Sequence, residues 1–140
     1  MAGVDVEIEG RTISLSNLDK VLYPSGFTKS QVIDYMARIA PVAITHLTGR
    51  ALTFKRFPDG TDTNGFFEKR CPGHRPPWVE VALGPGDRKG GIEYCRIDET
   101  ASMVWAANMA AIELHAPMAC ADDLDVPRTL VFDFDPGAPA

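Results

Sequence analysis

The sequence predicts an α+β fold in which mixed or antiparallel sheets pack against helices. Two observations favour this class: predicted strands outnumber predicted helices, and both kinds of segment follow one another in a mixed order without an internal repeat. The chain has 140 residues, of which 45% are hydrophobic. A chain of this size removes about two-thirds of its unfolded surface from water, so we expect a single domain over residues 1–140.

The first predicted elements are a β-hairpin and a short turn. Apolar residues alternate with polar or acidic ones over 4–15, with a Gly-Arg pair in the middle. A period of two is typical of strands that bury one face. Residues 16–19 resemble the start of a helix, but Pro24 follows too soon for it to continue. Lys20 should therefore lie on a short turn.

A long helix is predicted to begin at the Thr-Lys-Ser-Gln sequence of residues 28–31, which has the spacing of a capping box. Apolar residues then recur at helical spacing as far as Leu47, and such a stripe indicates a helix that packs on a core. We expect Pro41 to bend this helix and Gly49 to end it.

Four strands and two loops are predicted in the middle of the chain. The strands are rich in aromatic and β-branched residues and are bounded by Gly or Pro. They are residues 52–57, 66–69, 78–83 and 92–97. Residues 71–77 should be irregular, and the glycine-rich, basic segment 84–91 should form a mobile loop between the last two strands.

A second helix and a final strand complete the predicted fold. Residues 99–114 are rich in Ala and Met and are apolar on almost every face, as expected of a buried helix. His115 would end this helix. Residues 129–135 are apolar and β-rich, and Pro136 cannot extend them.

The final strand carries a candidate metal site. Residues two apart in a strand point to the same face, so Asp133 and Asp135 would present carboxylates roughly 7 Å apart. Carboxylate oxygens suit Mg²⁺ or Mn²⁺, and such ions support nucleotidyl or phosphoryl transfer. The alternative is an edge strand whose acidic side chains face water. His115 could serve a phosphate or a metal, or cap its helix as a cation.

Basic and aromatic residues suggest a nucleic-acid surface. Lys29 lies in the first turn of the long helix, where free backbone N–H groups favour anions, and Lys20 could add a second clamp on a terminal phosphate. Phe66 and Phe67 are consecutive, so their rings should lie on opposite faces of a strand, where one could stack on a base. Three basic neighbours support this interpretation: Lys55, Arg56 and Lys69. A solvated lysine and a strand buried on both faces are the alternatives.

Charge and cysteine content restrict the ligands and metal sites that can be expected of this chain. The net charge is −5, but residues 50–96 hold nine Lys or Arg against six Asp or Glu, so a polyanion should meet the middle of the chain. Three widely spaced cysteines favour reduced, buried thiols. Half a zinc site at Cys71 and His74 is a weaker alternative. No secretory signal or membrane span is evident, so we expect a soluble, cytoplasmic protein with no membrane partner.

Taken as a set, six motifs resemble the polymerase domain of bacterial end-joining DNA ligase D, a member of the archaeo-eukaryotic primase-polymerase superfamily. The motifs are Asn-Leu-Asp-Lys-Val-Leu-Tyr-Pro at 17–24, Thr-Lys-Ser at 28–30, Lys-Arg-Phe-Pro at 55–58, Phe-Phe-Glu-Lys at 66–69, Glu-Leu-His at 113–115 and Leu-Val-Phe-Asp-Phe-Asp-Pro-Gly at 130–137. The resemblance covers nearly the whole chain in order.

The resemblance implies a repair polymerase that adds nucleotides, preferentially ribonucleotides, at 5′-phosphorylated gaps or double-strand-break ends. Its partners would be DNA and nucleoside triphosphates, together with ligase and nuclease domains and end-binding repair proteins at the bacterial nucleoid. Asp133 and Asp135 would bind Mn²⁺ or Mg²⁺, with His115 near the triphosphate. Lys20 and Lys29 would hold the downstream 5′-phosphate. The DNA-stacking surface would comprise Phe66, Phe67, Lys55, Arg56 and Lys69.

The resemblance also implies that this chain is the N-terminal part of a primase-polymerase-like catalytic domain. Members of the family continue further and supply a third metal-binding aspartate and a Ser-x-x-x-His nucleotide motif, which this chain lacks. A non-catalytic module that binds 5′-phosphorylated DNA ends is therefore one alternative. Another metal-dependent phosphotransferase or hydrolase with an Asp-x-Asp strand is a third, less favoured by Pro136 and Gly137.

Overall fold

The computed structural model describes residues 3–86 and 89–139. Within these ranges the chain forms seven strands and two helices. They are β1 (Val4–Ile8), β2 (Arg11–Leu15), α1 (Lys29–Leu47), β3 (Thr53–Arg56), β4 (Phe66–Glu68), β5 (Val81–Gly84), β6 (Ile92–Cys95), α2 (Thr100–Asn108) and β7 (Ala111–His115). The predicted α+β class with antiparallel sheets packed on helices is confirmed.

The described strands form three small antiparallel sheets. Two are hairpins, β1–β2 and β5–β6, and the third has the order β4–β3–β7. In the third sheet β3 is central, and its ladder with β7 shifts register between Lys55 and Arg56. This sheet carries most of the predicted DNA-binding residues.

Helix α1 begins as its sequence predicts. The Thr28 side chain accepts a hydrogen bond from the Gln31 backbone, and the Gln31 side chain accepts one from the Thr28 backbone. The helix continues through Pro41 and ends at Leu47, followed by Gly49 with φ 74°. Gly49 is favoured there because a positive φ strains other residues.

The hydrophobic core lies between α1, α2 and the sheets. Helix α2 is almost wholly buried because α1 covers one side and β2 and β7 cover others. Phe54 of β3 packs edge-on against Trp105 of α2, with ring centroids 6.4 Å apart. This contact packs the three-stranded sheet at β3 against the core.

Two predictions about the C-terminal third are wrong. The predicted helix 99–114 ends at Asn108, and the chain turns through Ala110, at φ 56°, into strand β7. Hydrogen bonding to β3 outweighs the helical propensity of this Ala-rich segment, and His115 therefore lies on a strand. The predicted strand 129–135 is irregular and exposed, because no described strand pairs with it.

The expectation of reduced thiols is also wrong. Cys71 and Cys95 form a disulfide, which leaves Cys120 as the free cysteine. The pairing depends on the irregular segment 71–77 lying against β6, and sequence spacing does not reveal that contact. Because Cys71 is bonded to Cys95, it does not supply half of a zinc site.

Two other expectations concern the loop 84–91 and membrane-spanning helices. The predicted mobile loop 84–91 includes Asp87 and Arg88, which lie outside the described residues. Neither described helix is long and apolar enough to cross a membrane.

Candidate nucleic-acid interface

The two lysines predicted to hold a phosphate lie in one pocket. This pocket, here called the lysine pocket, has a volume of about 310 Å³. Its lining residues are Ser16, Asn17, Lys20, Leu22, Lys29, Arg56, Pro58, His74, Asn108, Met109 and Ala110. Three of these are Lys or Arg side chains, and none of the described lining residues is acidic. The pocket is therefore suited to an anion.

Lys29 is the most buried of the pocket cations, at 6% exposed. Its Nζ donates a hydrogen bond of 2.7 Å to the carbonyl oxygen of Ser16. Burial, followed by the charges of Lys20 and Arg56, lowers the pKa of Lys29 to about 8. A bound anion would raise this pKa again, since it supplies the opposite charge that the pocket lacks.

The backbone N–H groups at the start of α1, which were expected to face a phosphate, have partners within the protein. The N–H of Lys29 donates to Lys20 O at 2.8 Å, and the N–H of Ser30 donates to Leu18 O at 2.9 Å. The N–H of Thr28 donates to the Gln31 side chain at 2.8 Å. These donors are already satisfied within the protein, so the side chains around the pocket, rather than the helix N-terminus, offer free donors to an anion.

Lys20 occupies the predicted turn and is more exposed than Lys29. Its Nζ lies 3.2 Å from Oδ1 of Asp59, whose side chain is 81% exposed. An exposed pair of this kind contributes at most about 1 kcal/mol, so Lys20 can exchange Asp59 for a ligand at little cost.

Arg56 connects the lysine pocket with the aromatic pair. Its Nε donates to Met109 O at 2.8 Å, and one terminal nitrogen lies 3.1 Å from Glu68. The guanidinium also lies 5.1 Å from the ring centroid of Phe66. These three contacts hold Arg56 rigidly, with one side towards the pocket and the other towards an aromatic ring.

The aromatic pair lies on the edge strand β4. Phe66 pairs with Arg56 and Phe67 with Lys55, so the two rings lie on opposite faces as predicted. Both rings are exposed, at 43% and 59% respectively. The alternative of a strand buried on both faces is therefore wrong, and each ring is accessible for stacking.

Phe67 belongs to the same sheet face as His115. The Lys55 ammonium lies 5.1 Å from the Phe67 ring centroid, and the His115 ring meets Phe67 edge-on at 5.5 Å. His115 Nε2 lies 2.8 Å from Oε2 of Glu113. The strand position of His115, rather than a helix end, places it on this face and removes the helix-capping alternative.

A larger pocket of about 680 Å³ adjoins this face. His115, Lys69 and Thr53 line it together with Tyr94 and the segment 116–119. The predicted DNA-binding and triphosphate-binding residues Lys69 and His115, which are far apart in sequence, thus share one cavity.

Asp133 and Asp135 are not part of either pocket. Both are exposed, and neither has an ion pair or hydrogen bond to another described residue. Within 3–86 and 89–139, no group of three or more His, Cys, Asp or Glu side chains could hold a metal ion. The carboxylates have suitable oxygen donors for Mn²⁺ or Mg²⁺, but by themselves they are an incomplete ligand set.

His74 and Asn108 are pocket residues that the sequence did not identify as phosphate ligands. Asn108 accepts a hydrogen bond from the Ser16 N–H at 3.0 Å and donates to Ser14 O at 3.2 Å. It thereby positions the Ser16 carbonyl that Lys29 contacts. His74 comes from the irregular segment 71–77, and the sequence indicated only a possible half zinc site with Cys71 for it.

Comparison with known proteins identifies relatives. Residues 28–140 match the family model described as LigD, primase-polymerase domain. The chain is 42% identical over 134 residues to the multifunctional non-homologous end joining DNA repair protein LigD of Mycobacterium tuberculosis, covering 89% of this chain and 18% of that protein. It is 40% identical over 128 residues to the multifunctional non-homologous end joining protein LigD of Mycolicibacterium smegmatis, covering 89% and 17%.

A solved structure has the same fold. The polymerase domain from Mycobacterium tuberculosis Ligase D, in complex with DNA, matches with a TM-score of 0.71 and 43% sequence identity. The match covers 76% of this chain and 37% of that one. This chain thus spans less than a fifth of the length of the two curated relatives and about a third of the solved domain. The extent of the family match and the identity to these relatives show that the chain belongs to the LigD primase-polymerase domain family.

Proposed function

We propose that this chain recognises 5′-phosphorylated DNA ends or gaps as the N-terminal part of a LigD-type repair polymerase domain. One observation carries this proposal: Lys20, Lys29 and Arg56 come from three separate segments and line one pocket without an acidic lining residue. A terminal phosphate carries up to two negative charges and three strong acceptor oxygens. It is therefore the DNA group that best matches such a pocket.

The aromatic surface would orient the DNA beside the bound phosphate. Phe66 stacks under Arg56, which also lines the lysine pocket. A base stacked on this ring would thus lie close to the phosphate, and base–aromatic stacking contributes about 1 to 3 kcal/mol. Lys55 and Phe67 would contact DNA from the opposite sheet face, towards His115.

Nucleotide addition is the second part of the proposal. Asp133 and Asp135 would contribute two oxygen ligands to Mn²⁺ or Mg²⁺, and within the described residues no third His, Cys, Asp or Glu joins them in a group that could hold a metal ion. The bound metal would supply charge stabilisation for phosphoryl transfer. His115 and Lys69, on the larger pocket, would bind the phosphates of a nucleoside triphosphate. Ligase and nuclease domains and end-binding repair proteins remain predicted partners.

The proposal is tested by measuring fluorescence anisotropy with two gapped duplexes that differ only in a 5′-phosphate or 5′-hydroxyl. We expect binding at least about tenfold tighter for the phosphorylated duplex, as for a charge-assisted contact of about 1.5 kcal/mol or more, and weaker binding as salt rises. Lys20→Ala should reduce the preference, while Arg38→Ala, whose partner is Asp34 on α1, should not. Equal affinity for both duplexes would overturn the phosphate-binding assignment.

A non-catalytic module is the second candidate, favoured by the exposed and unpartnered Asp133 and Asp135. Primer extension with Mn²⁺ and ribonucleotides distinguishes the two functions. Comparing this chain with the reading frame continued past Ala140 tests whether added residues restore activity. Phosphate-dependent binding without nucleotide addition by the longer protein would select the binding module.

A further inference from the structure

A fourth basic side chain, His74, lines the lysine pocket together with Lys20, Lys29 and Arg56. It lies 45 residues after Lys29 and on no helix or strand. Its role in the pocket thus depends on how the segment 71–77 is held. A side chain on an unrestrained loop would lose too much conformational entropy on binding to add much affinity.

The first half of this segment is tied to strand β6. Cys71 is bonded to Cys95, and its N–H donates to Glu93 O at 2.8 Å. Arg75 follows His74 directly and reaches the Glu93 carboxylate at 3.7 Å. Attachments on both sides of His74 therefore restrict its backbone.

The second half is tied to the core and to the N-terminal hairpin. Val79 is 3% exposed, and its N–H donates to Pro76 O at 3.0 Å. The Trp78 ring lies 5.6 Å beneath the guanidinium of Arg11, which also pairs with Glu99 at 2.9 Å. The loop is thus clamped between two hairpins, and His74, although exposed, is presented at a fixed edge of the pocket.

We propose that His74 is a specificity-determining residue that recognises the second negative charge of a terminal phosphate monoester. This inference rests on the proposed function and deepens it. The pocket cations attract any DNA phosphate, including the internal diesters, which carry one charge each. A phosphate monoester carries most of a second negative charge at neutral pH, and a hydrogen bond to a charged oxygen is stronger than one to a neutral group. A ring N–H of His74 would donate to the additional anionic oxygen.

The other charged groups around the pocket favour an anion beside His74. The cations Lys20, Lys29 and Arg56 line it, Asp59 binds Lys20, and Arg75 on the same loop is engaged by Glu93. With no acidic residue in the described lining, the bound dianion is the strongest acceptor available to the His74 ring.

The test compares gapped duplexes whose 5′ end is a hydroxyl, a phosphate or a methyl phosphate diester. At pH 6.5 we expect His74→Gln to lower the preference for phosphate over hydroxyl about fivefold, the effect of a modest charge-assisted hydrogen bond. Binding of the methyl phosphate should be unchanged. His46→Gln, on the last turn of α1, is the matched control and should behave as the original chain.

A second variant separates charge from structure. His74→Lys should keep the phosphate preference, because its ammonium group can also donate to the additional anionic oxygen. Equal phosphate preference of the original chain and His74→Gln at pH 6.5 would overturn the role of His74 and leave the proposed function standing. Loss of preference in His74→Gln for phosphate and methyl phosphate alike would also overturn it. If the original chain does not prefer phosphate, the proposed function fails and this inference fails with it.

Discussion

The lysine pocket and the segment 129–135 both carry charged residues that the sequence predicts to be functional, but the fold holds them in opposite ways. Lys29 is 6% exposed and has a carbonyl partner at 2.7 Å. Asp133 and Asp135 are exposed and have no partner among the described residues. The fold of the described residues therefore positions the lysine pocket, whereas it does not position the two carboxylates.

The difference shows what a charged group needs before a fold can position it. Burying an unpaired charge costs several kcal/mol, so Lys29 can be buried only because three segments bring a carbonyl and a polar pocket to it. The apolar neighbours of Asp133 have no sheet to join. Phe132 and Phe134 instead stack on each other at 6.2 Å, and both remain more than 70% exposed.

The largest expected effect comes from removing the disulfide that anchors one wall of the pocket. The bond joins residues separated by 24 positions, and closing a loop of that size contributes about 3.5 kcal/mol. Cys71→Ser with Cys95→Ser should lower the free energy of unfolding by this amount, as measured by denaturant titration. Cys120→Ser is the control. An unchanged midpoint would show that the pocket wall does not depend on this bond.

Lys29→Met removes one positive charge from the lysine pocket and replaces it with an unbranched apolar side chain. We expect the preference for the 5′-phosphorylated duplex to fall about tenfold to thirtyfold, because a buried charged donor is lost. Arg38→Met on the exposed face of α1 is the control. A full preference in Lys29→Met would show that the phosphate is held elsewhere.

The same variant has a signature in stability. The pKa of Lys29 falls from 10.5 to about 8 on folding, through burial and then the charges of Lys20 and Arg56. Between these values the unfolded chain binds more protons than the folded chain, so the free energy of unfolding should rise with pH. Lys29→Met should lose this rise, which denaturant titrations from pH 7.5 to 10.5 would measure.

The smallest effect is expected for the two aspartates of the segment 129–135. Asp133→Asn with Asp135→Asn should change the free energy of unfolding by less than about 0.5 kcal/mol, as exposed substitutions usually do. The phosphate preference of this chain should also stay the same. A loss of more than about 1 kcal/mol would mean that the segment 129–135 packs on the fold after all.

Local patterns were sufficient to predict several parts of the molecule. The N-terminal hairpin, the capping box and end of α1, and the strands around Phe54 and Phe66 all follow from alternation, helical spacing or glycine conformations within a few residues. The prediction that Phe66 and Phe67 occupy opposite faces succeeded for the same reason, since strand geometry alone dictates it.

The sequence by itself determined which residues carry the charges and rings, namely the two lysines, the Phe66–Phe67 pair and the two aspartates, because these are properties of single positions and short motifs. Only the tertiary structure decided which of them meet. Pairing with β3 made His115 a strand residue, and the contact of a loop with β6 joined Cys71 to Cys95 and positioned His74. These outcomes depend on hydrogen bonds and packing between distant segments, whose energy no local pattern contains.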